Sequence, residues 1–315
     1  MLAYIARRLL QAVIVVVGVT LVVFLLIHLL PGGPARAALG PRATKAAIAN
    51  FNVANGYNRA VPVQYGLYVW HLVHGNLGYS YHYNQSVLSL LEANLPKSAL
   101  LVGLAFVLSL VVGVPLGLYQ AIRRNKFADH AITTFAFAGY AMPNFWAGML
   151  LILAFAISLH VLPAEAPQAS SVASILADPR ALVLPVVTLA LVSFAQFSRF
   201  MRSSAIENLV QDYIRTARAK GISNTRVVFR HLLPNSVTPI ITLIGLTLPI
   251  ILSGAIVIEA LFNYPGMGYL LWEAALRQDY PLLMGFTIVV GVATVMGSLL
   301  ADLLYAAVDP RVRYD

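Results

Sequence analysis

Few residues in this sequence are equipped for chemistry. It holds seven histidines, twelve carboxylates and no cysteine, which excludes disulfides, thiolate zinc and iron–sulfur centres. Five histidines, His28, His71, His74, His82 and His160, fall on or near one expected side of a membrane. His71 and His74 are three apart, so one helix face can carry both, and imidazole pairs suit nickel, copper or zinc. The plainer reading is favoured: His and Tyr, both amphipathic, sit at a membrane interface beside Trp70. Asp302 is the only formal charge inside any expected span. An intramembrane carboxylate is costly and by default functional, but the place of Asp302 about two turns before Asp309 and Arg311 favours a structural role near the interface. No Gly-x-x-x-x-Gly-Lys-Ser/Thr phosphate loop, His-Glu-x-x-His or Gly-x-Ser-x-Gly occurs, so the chain is not expected to hydrolyse ATP or act as an enzyme. One buried carboxylate makes a poor proton relay, which leaves a gradient-driven carrier as the second reading.

The elements that position these residues follow from blocked, not periodic, hydrophobicity. Only 10% of the 315 residues are charged and 59% are hydrophobic, against about 25% charged in soluble domains. Seven uncharged runs of 18 or more residues appear, at 9–35, 60–91, 98–122, 130–164, 181–198, 231–258 and 280–301. The run 60–91 is too rich in His, Asn, Gln, Gly and Pro to be oily. The other six are long enough for ~30 Å of hydrocarbon and give spans near Leu9–Leu30, Ala99–Ala121, Ala131–His160, Leu182–Ser198, Val237–Ile258 and Leu283–Val308. A cleaved signal peptide at the N-terminus, with Arg7 and Arg8 before it and Ala35-Arg36-Ala37 after it, is the weaker reading. A signal core runs about 7–15 residues, and Leu9–Leu30 is longer. With the N-terminus cytoplasmic, 14 of the 21 lysines and arginines lie inside, which places both termini in the cytoplasm. The formal charge of +9 then reports orientation, and no nucleic-acid partner is expected. The fold class is all-α and polytopic, with six transmembrane helices.

The chain divides into a cytoplasmic N-terminus and first span (1–30), an external insertion (31–97) and a five-span core (98–315) containing a cytoplasmic loop, 199–236. In that loop Ile206, Leu209, Val210, Tyr213, Ile214 and Ala217 repeat with helical spacing from Ala205, opposite Glu207, Asp212, Arg215 and Arg218. Arg218 and Lys220 precede Gly221, a helix stop that suits both the dipole and a left-handed cap. Ser223 or Asn224 can cap a second helix with Val227, Val228 and Leu232, which Pro234 is expected to end. Three uses compete for this helix–turn–helix. Its apolar stripe can rest on the membrane, it can form a rigid knob for a cytoplasmic partner, or, least favoured beside a bilayer, it can read DNA.

Asp212-Tyr213-Ile214-Arg215-Thr216-Ala217-Arg218-Ala219-Lys220-Gly221, followed by Leu232-Leu233-Pro234, resembles the coupling-loop signature of permease subunits in bacterial ABC importers. The general motif has Glu-Ala-Ala four residues before the Gly; Arg215-Thr216-Ala217 and His231 are similar to the peptide-importer variant. Ala6-Arg7-Arg8-Leu9-Leu10 leading to Leu30-Pro31-Gly32-Gly33-Pro34 resembles the opening of the first of the two permeases in dipeptide and oligopeptide importers. Val63-Gln64-Tyr65 with His74-Gly75-Asn76-Leu77-Gly78-Tyr79-Ser80 resembles that family's external segment. Glu259-Ala260-Leu261-Phe262 with Pro265-Gly266-Met267-Gly268 and Asp279-Tyr280-Pro281 resembles its fifth external loop, and Asp302-Leu303-Leu304-Tyr305 with Asp309-Pro310-Arg311 its C-terminus. Gly33 and Asn76 stand where the family often has Asp.

The resemblance implies a type I ABC importer bundle in the bacterial inner membrane, carrying di- or oligopeptides by alternating access; nickel or haem is the alternative cargo. It implies a homologous second permease, two cytoplasmic ATP-binding subunits that hold ATP and Mg, and an external substrate-binding protein or lipoprotein. No cofactor is implied on this chain. ATPase docking falls on Tyr213, Arg215, Thr216, Ala217, Arg218, Lys220 and Gly221, and substrate-binding residues are unassigned.

Overall fold

The computed structural model describes residues 2–29, 33–40, 42–80, 82–240, 243 and 255–308. In chain order the elements are α1 (Leu2–Leu29), α2 (Gly33–Leu39), α3 (Lys45–Ala54), α4 (Val61–Val73), a two-stranded hairpin β1 (Tyr79–Ser80) and β2 (Gln85–Ser86), α5 (Val87–Ile122), α6 (Phe127–Ala141), α7 (Asn144–Leu151), α8 (Val172–Leu176), α9 (Pro179–Leu209), α10 (Asp212–Ala219), α11 (Asn224–Val227), α12 (Leu233–Ser236), α13 (Ile256–Leu261), α14 (Met267–Leu276) and α15 (Tyr280–Val308). The architecture is all-α apart from the hairpin, whose antiparallel register pairs Tyr79 with Ser86 and Ser80 with Gln85.

Among the described residues, α5 and Tyr280–Ser298 of α15 are each long and apolar enough to cross a membrane, and two bent helix pairs qualify if each is one span. The span expected at Leu9–Leu30 lies in α1, where Val13–Leu26 is apolar. Most of the span expected at Val237–Ile258 lies outside the described residues, as do Pro31, Gly32, Tyr81 and the C-terminal Asp309-Pro310-Arg311. Asp302 lies on α15, and its side chain is outside the described set.

The described residues group into two compact units, one drawn from 1–98, 252–256 and 265–315, the other from 99–251 and 257–264. In the first, α1 packs on α15 where Gly291 lets the helices close: a Cβ there would lie 3.2 Å from Val19 Cγ1. α4 is tied to α1 by His28 Nε2 to Gln64 Oε1 at 2.7 Å and by Thr20 Oγ1 to the Tyr65 hydroxyl at 3.0 Å. A second core joins Val87, Leu90 and Leu91 of α5 to Met267, Leu270 and Ala274 of α14 and to Leu282 and Phe286 of α15. Two polar contacts pin its edges: the Ser80 hydroxyl donates to Asp279, and the Met267 N–H donates to Ser98 Oγ at 2.7 Å. The insertion 31–97 therefore contains α2, α3, α4 and the hairpin, and the boundary drawn at 97/98 falls inside α5. Glu92 and Lys97 mark a change in polarity there, and a helix has no need to stop where polarity changes.

The second unit holds the rest of α5 and α6 to α12. The segment expected as one span, Ala131–His160, is two helical pieces, Phe127–Ala141 and Asn144–Ser158, bent by 107°. The cause is Pro143, which pushes Met142 out of the helical region to φ −78, ψ 130. α7 continues through a π-helical turn, Ile152–Ser158.

Candidate functional site

The 199–236 loop is mounted on the close pairing of α5 and α9. Gly113 and Gly117, four apart on α5, face α9 without a side chain between the backbones. A Cβ on Gly113 would lie 3.0 Å from the Phe194 carbonyl, and one on Gly117 would lie 2.8 Å from Met201 Cβ and closer still to the Ser198 carbonyl. Such small-residue spacing lets helices approach at the backbone.

One cluster of buried residues grows from this seam: Leu118 and Ala121 of α5, Phe197, Met201 and Ala205 of α9, Ile214 and Ala217 of α10, Val227 and Leu232 beyond the turn, and Ile240. A polar network runs beside it. The Ser198 hydroxyl donates to Gln120 Oε1 at 2.6 Å, and Gln120 Nε2 donates to Thr133 Oγ1 at 2.9 Å. Arg202 of α9 makes a bidentate contact to Asp129 of α6, at 2.7 and 2.8 Å, and Asp129 also accepts from the Asn125 N–H at 2.9 Å. Asp129 is 1% exposed and Arg202 31%. The two are 73 positions apart in the sequence and carry no local signal of pairing.

The helix expected to run unbroken from Ala205 to Gly221 is broken at Val210 and Gln211. α9 ends at Leu209, Gln211 adopts φ −73, ψ 151, and α10 starts at Asp212, whose carboxylate suits the helix N-terminus. The Tyr213 hydroxyl reaches back across the break to Asn208 Oδ1 at 2.7 Å, and burial pushes its pKa up. The break turns the expected stripe: Ile214 and Ala217 are buried at 0% and 4% exposure, whereas Val210 is 59% exposed. The apolar face of α10 thus packs on the protein's own core and is not free to lie on a membrane.

The seven residues singled out from the sequence separate accordingly. Ala217 faces inward. Tyr213, Arg215, Thr216, Arg218, Lys220 and Gly221 are exposed. Gly221 has φ +74; its N–H bonds the Arg218 carbonyl at 2.9 Å, and the Ile222 N–H bonds the Ala217 carbonyl at 3.2 Å. This is the Schellman stop that the sequence implies, with Ile222 folded onto the core. Arg215 and Asp212 approach to 3.5 Å at 73% and 95% exposure, an ion pair worth little in water. α10 thereby presents Arg215, Thr216, Arg218 and Lys220 outward from a mount that two buried residues hold.

Pro234 does not end the second helix. α11 passes through a π-helical turn, Val228–Leu232, in which the Leu233 N–H bonds the Val228 carbonyl, and α12 then contains Pro234 near its start. The widened turn removes the α-helical clash between a proline ring and the carbonyl four residues earlier.

On the opposite expected side, His74 Nδ1 lies 2.8 Å from the Trp70 carbonyl, and His28 is held by Gln64. Among the described residues no three His, Asp or Glu side chains converge on a metal-sized point. His82 contacts Arg277, which pairs with Glu273 at 2.6 Å.

Residues 113–314 match the family described as binding-protein-dependent transport system inner membrane component, and residues 1–102 match the N-terminal family of such membrane components. The chain is 36% identical to the oligopeptide transport system permease protein AppB of Bacillus subtilis, over 100% of both chains. It is 37% identical to the probable D,D-dipeptide transport system permease protein DdpB of Escherichia coli, over 95% of this chain and 94% of that one. To the dipeptide transport system permease protein DppB of Alkalihalophilus pseudofirmus it is 35% identical, over 100% of both.

Proposed function

Because the chain belongs to the binding-protein-dependent transport system inner membrane component family, we propose how its loop couples an energy source to the passage of peptides. The protein is a multi-pass inner-membrane permease subunit of a peptide ABC importer, and it is not itself an enzyme. Its partners in this reading are a second homologous permease, two cytoplasmic ATP-binding subunits that carry ATP and Mg, and an external substrate-binding protein or lipoprotein. Both termini and the 199–236 loop face the cytoplasm. ATP-driven closure of the ATPase pair presses on α10, and α9 carries that displacement into the bundle, exchanging inward-open and outward-open states.

The observation that supports this most is the mounting of α10. Ile214 and Ala217 are buried in the core shared with α5 and α9, while Arg215, Thr216, Arg218 and Lys220 remain exposed. A helix whose backbone hydrogen bonds are internal and whose apolar face is already packed moves as a body when pushed.

The test is charge reversal on the outward face, Arg215→Glu with Arg218→Glu, in the reconstituted importer. Membrane insertion stays intact while peptide-stimulated ATP hydrolysis and ATP-dependent peptide uptake fall together. Unchanged uptake and stimulation in the double variant overturn the docking role. Peptide uptake by this chain alone, driven by a proton gradient without ATP, overturns the importer reading.

A further inference from the structure

α6 and α9, with α5 along one wall, border two open grooves. The first, about 240 Å³, is lined by Thr133, Phe137, Tyr140, Gln196, Arg199 and Arg202 among others. The second, about 430 Å³, is lined almost wholly by hydrocarbon, including Val112 of α5, Ile132 and Phe135 of α6, and Val187 and Leu191 of α9. Ala136, Phe194 and Ala195 pack against one another between them; Ala136 and Ala195 line the first space and Phe194 the second.

The two arginines of the first space differ. Arg202 is engaged by Asp129 on both arms. Arg199 is exposed and has no carboxylate partner among the described residues. Its guanidinium lies 6.0 Å from the Tyr140 ring and 5.6 Å from the Phe200 ring, distances at which aromatic faces hold a cation in place. A positioned cation without an anion thus sits beside an apolar groove, with Phe135 and Phe137 outward-facing at 63% and 55% exposure.

We propose that this wedge is a binding site for an anionic phospholipid of the cytoplasmic leaflet, its phosphate at Arg199 and an acyl chain in the groove between α6 and α9. Basic pockets between membrane helices attract anionic head groups in this way. The groove decides against a small soluble anion, which has no use for a hydrocarbon wall, and the lone arginine decides against a neutral lipid. The leaflet rests on the orientation given above; binding itself is read without ATP, partner or cargo, so the two readings fail separately.

The test uses the full chain in detergent, with lipid retention measured by native mass spectrometry and thermal stability measured in parallel. The probes are phosphatidylglycerol, phosphatidylcholine and inorganic phosphate. Phosphatidylglycerol is retained and raises the midpoint; the other two do neither. Arg199→Ala weakens phosphatidylglycerol retention by about five-fold, the scale of one basic residue at an anionic surface, and Arg199→Lys restores most of it. Val187→Trp, which fills the groove and leaves Arg199 untouched, weakens it as well, and circular dichroism identifies any variant that is simply misfolded. Equal retention of phosphatidylglycerol by folded Arg199→Ala and the parent protein overturns the proposal. So does an equal effect of phosphatidylcholine or inorganic phosphate, or displacement of the lipid by a short peptide, which would make the wedge a cargo site.

Discussion

Ala217 and Arg218 are neighbours in sequence and opposites in environment, the first 4% exposed inside the loop core and the second exposed on its rim. Substitutions at the two therefore separate folding from coupling. Ala217→Glu overpacks a closed core at about 1–3 kcal/mol and also buries a charge. The expected outcome is a lower thermal midpoint with faster proteolysis within 199–236. Arg218→Glu touches only solvent, so stability stays within about 0.5 kcal/mol while ATPase coupling falls. The Asp129 and Arg202 pair gives a second asymmetry. Arg202→Ala strands a carboxylate that is 1% exposed and costs about 3 kcal/mol; Asp129→Asn leaves a guanidinium that can reach water and costs less. Paired unfolding measurements on both variants and the double variant check this. Helical spacing made the inward set Ile214 and Ala217 legible in the sequence, because periodicity reports which side of a helix is apolar. The ion pair was not legible, because pairing across two helices depends on where α6 and α9 meet.

At the scale of elements, the apolar runs 9–35, 98–122, 130–164, 181–198 and 280–301 fall on helices, but they do not show where a helix is interrupted. Each interruption has a local cause that is weak beside a long apolar run. Pro143 bends α6 from α7, Gln211 takes an extended conformation between α9 and α10, and the π turn before Pro234 keeps a helix going where a proline usually stops one. The stop at Gly221 was legible because it depends on one residue's left-handed backbone. Space around Gly221 is open, so Gly221→Asn, which tolerates φ above zero, is expected to keep the loop folded, whereas Gly221→Val strains it. The α5 and α9 seam behaves in the opposite way. Gly117→Ala is expected to cost about 1–3 kcal/mol by overpacking, read as a fall in thermal midpoint, even though alanine is the better helix former.

For the whole molecule, the placement of its few charges carried more information than their number. The orientation is checked directly because the chain has no cysteine: a single introduced thiol reports without background. Thr216→Cys is expected to react with an impermeant maleimide only after the inner membrane is opened, and His74→Cys before it; the reverse pattern overturns the assignment. Co-expression of the ATPase subunits is expected to shield Thr216→Cys further. The apolar blocks that become α5, α6 with α7, α9 and α15 were legible from composition, and the inward face and Gly221 stop of the 199–236 loop from helical spacing and residue type. The Arg199 wedge was not, since Tyr140 and Arg199 are distant in sequence and come together only when α6 packs on α9. Ordinary helix pairs slide on an interleaved layer of side chains that can change rotamer, a lubricant of sorts. At Gly113 and Gly117 that layer thins until the backbone of α5 meets the carbonyls of Phe194 and Ser198, so α5 and α9 are expected to travel as a pair, with little room for either to roll against the other.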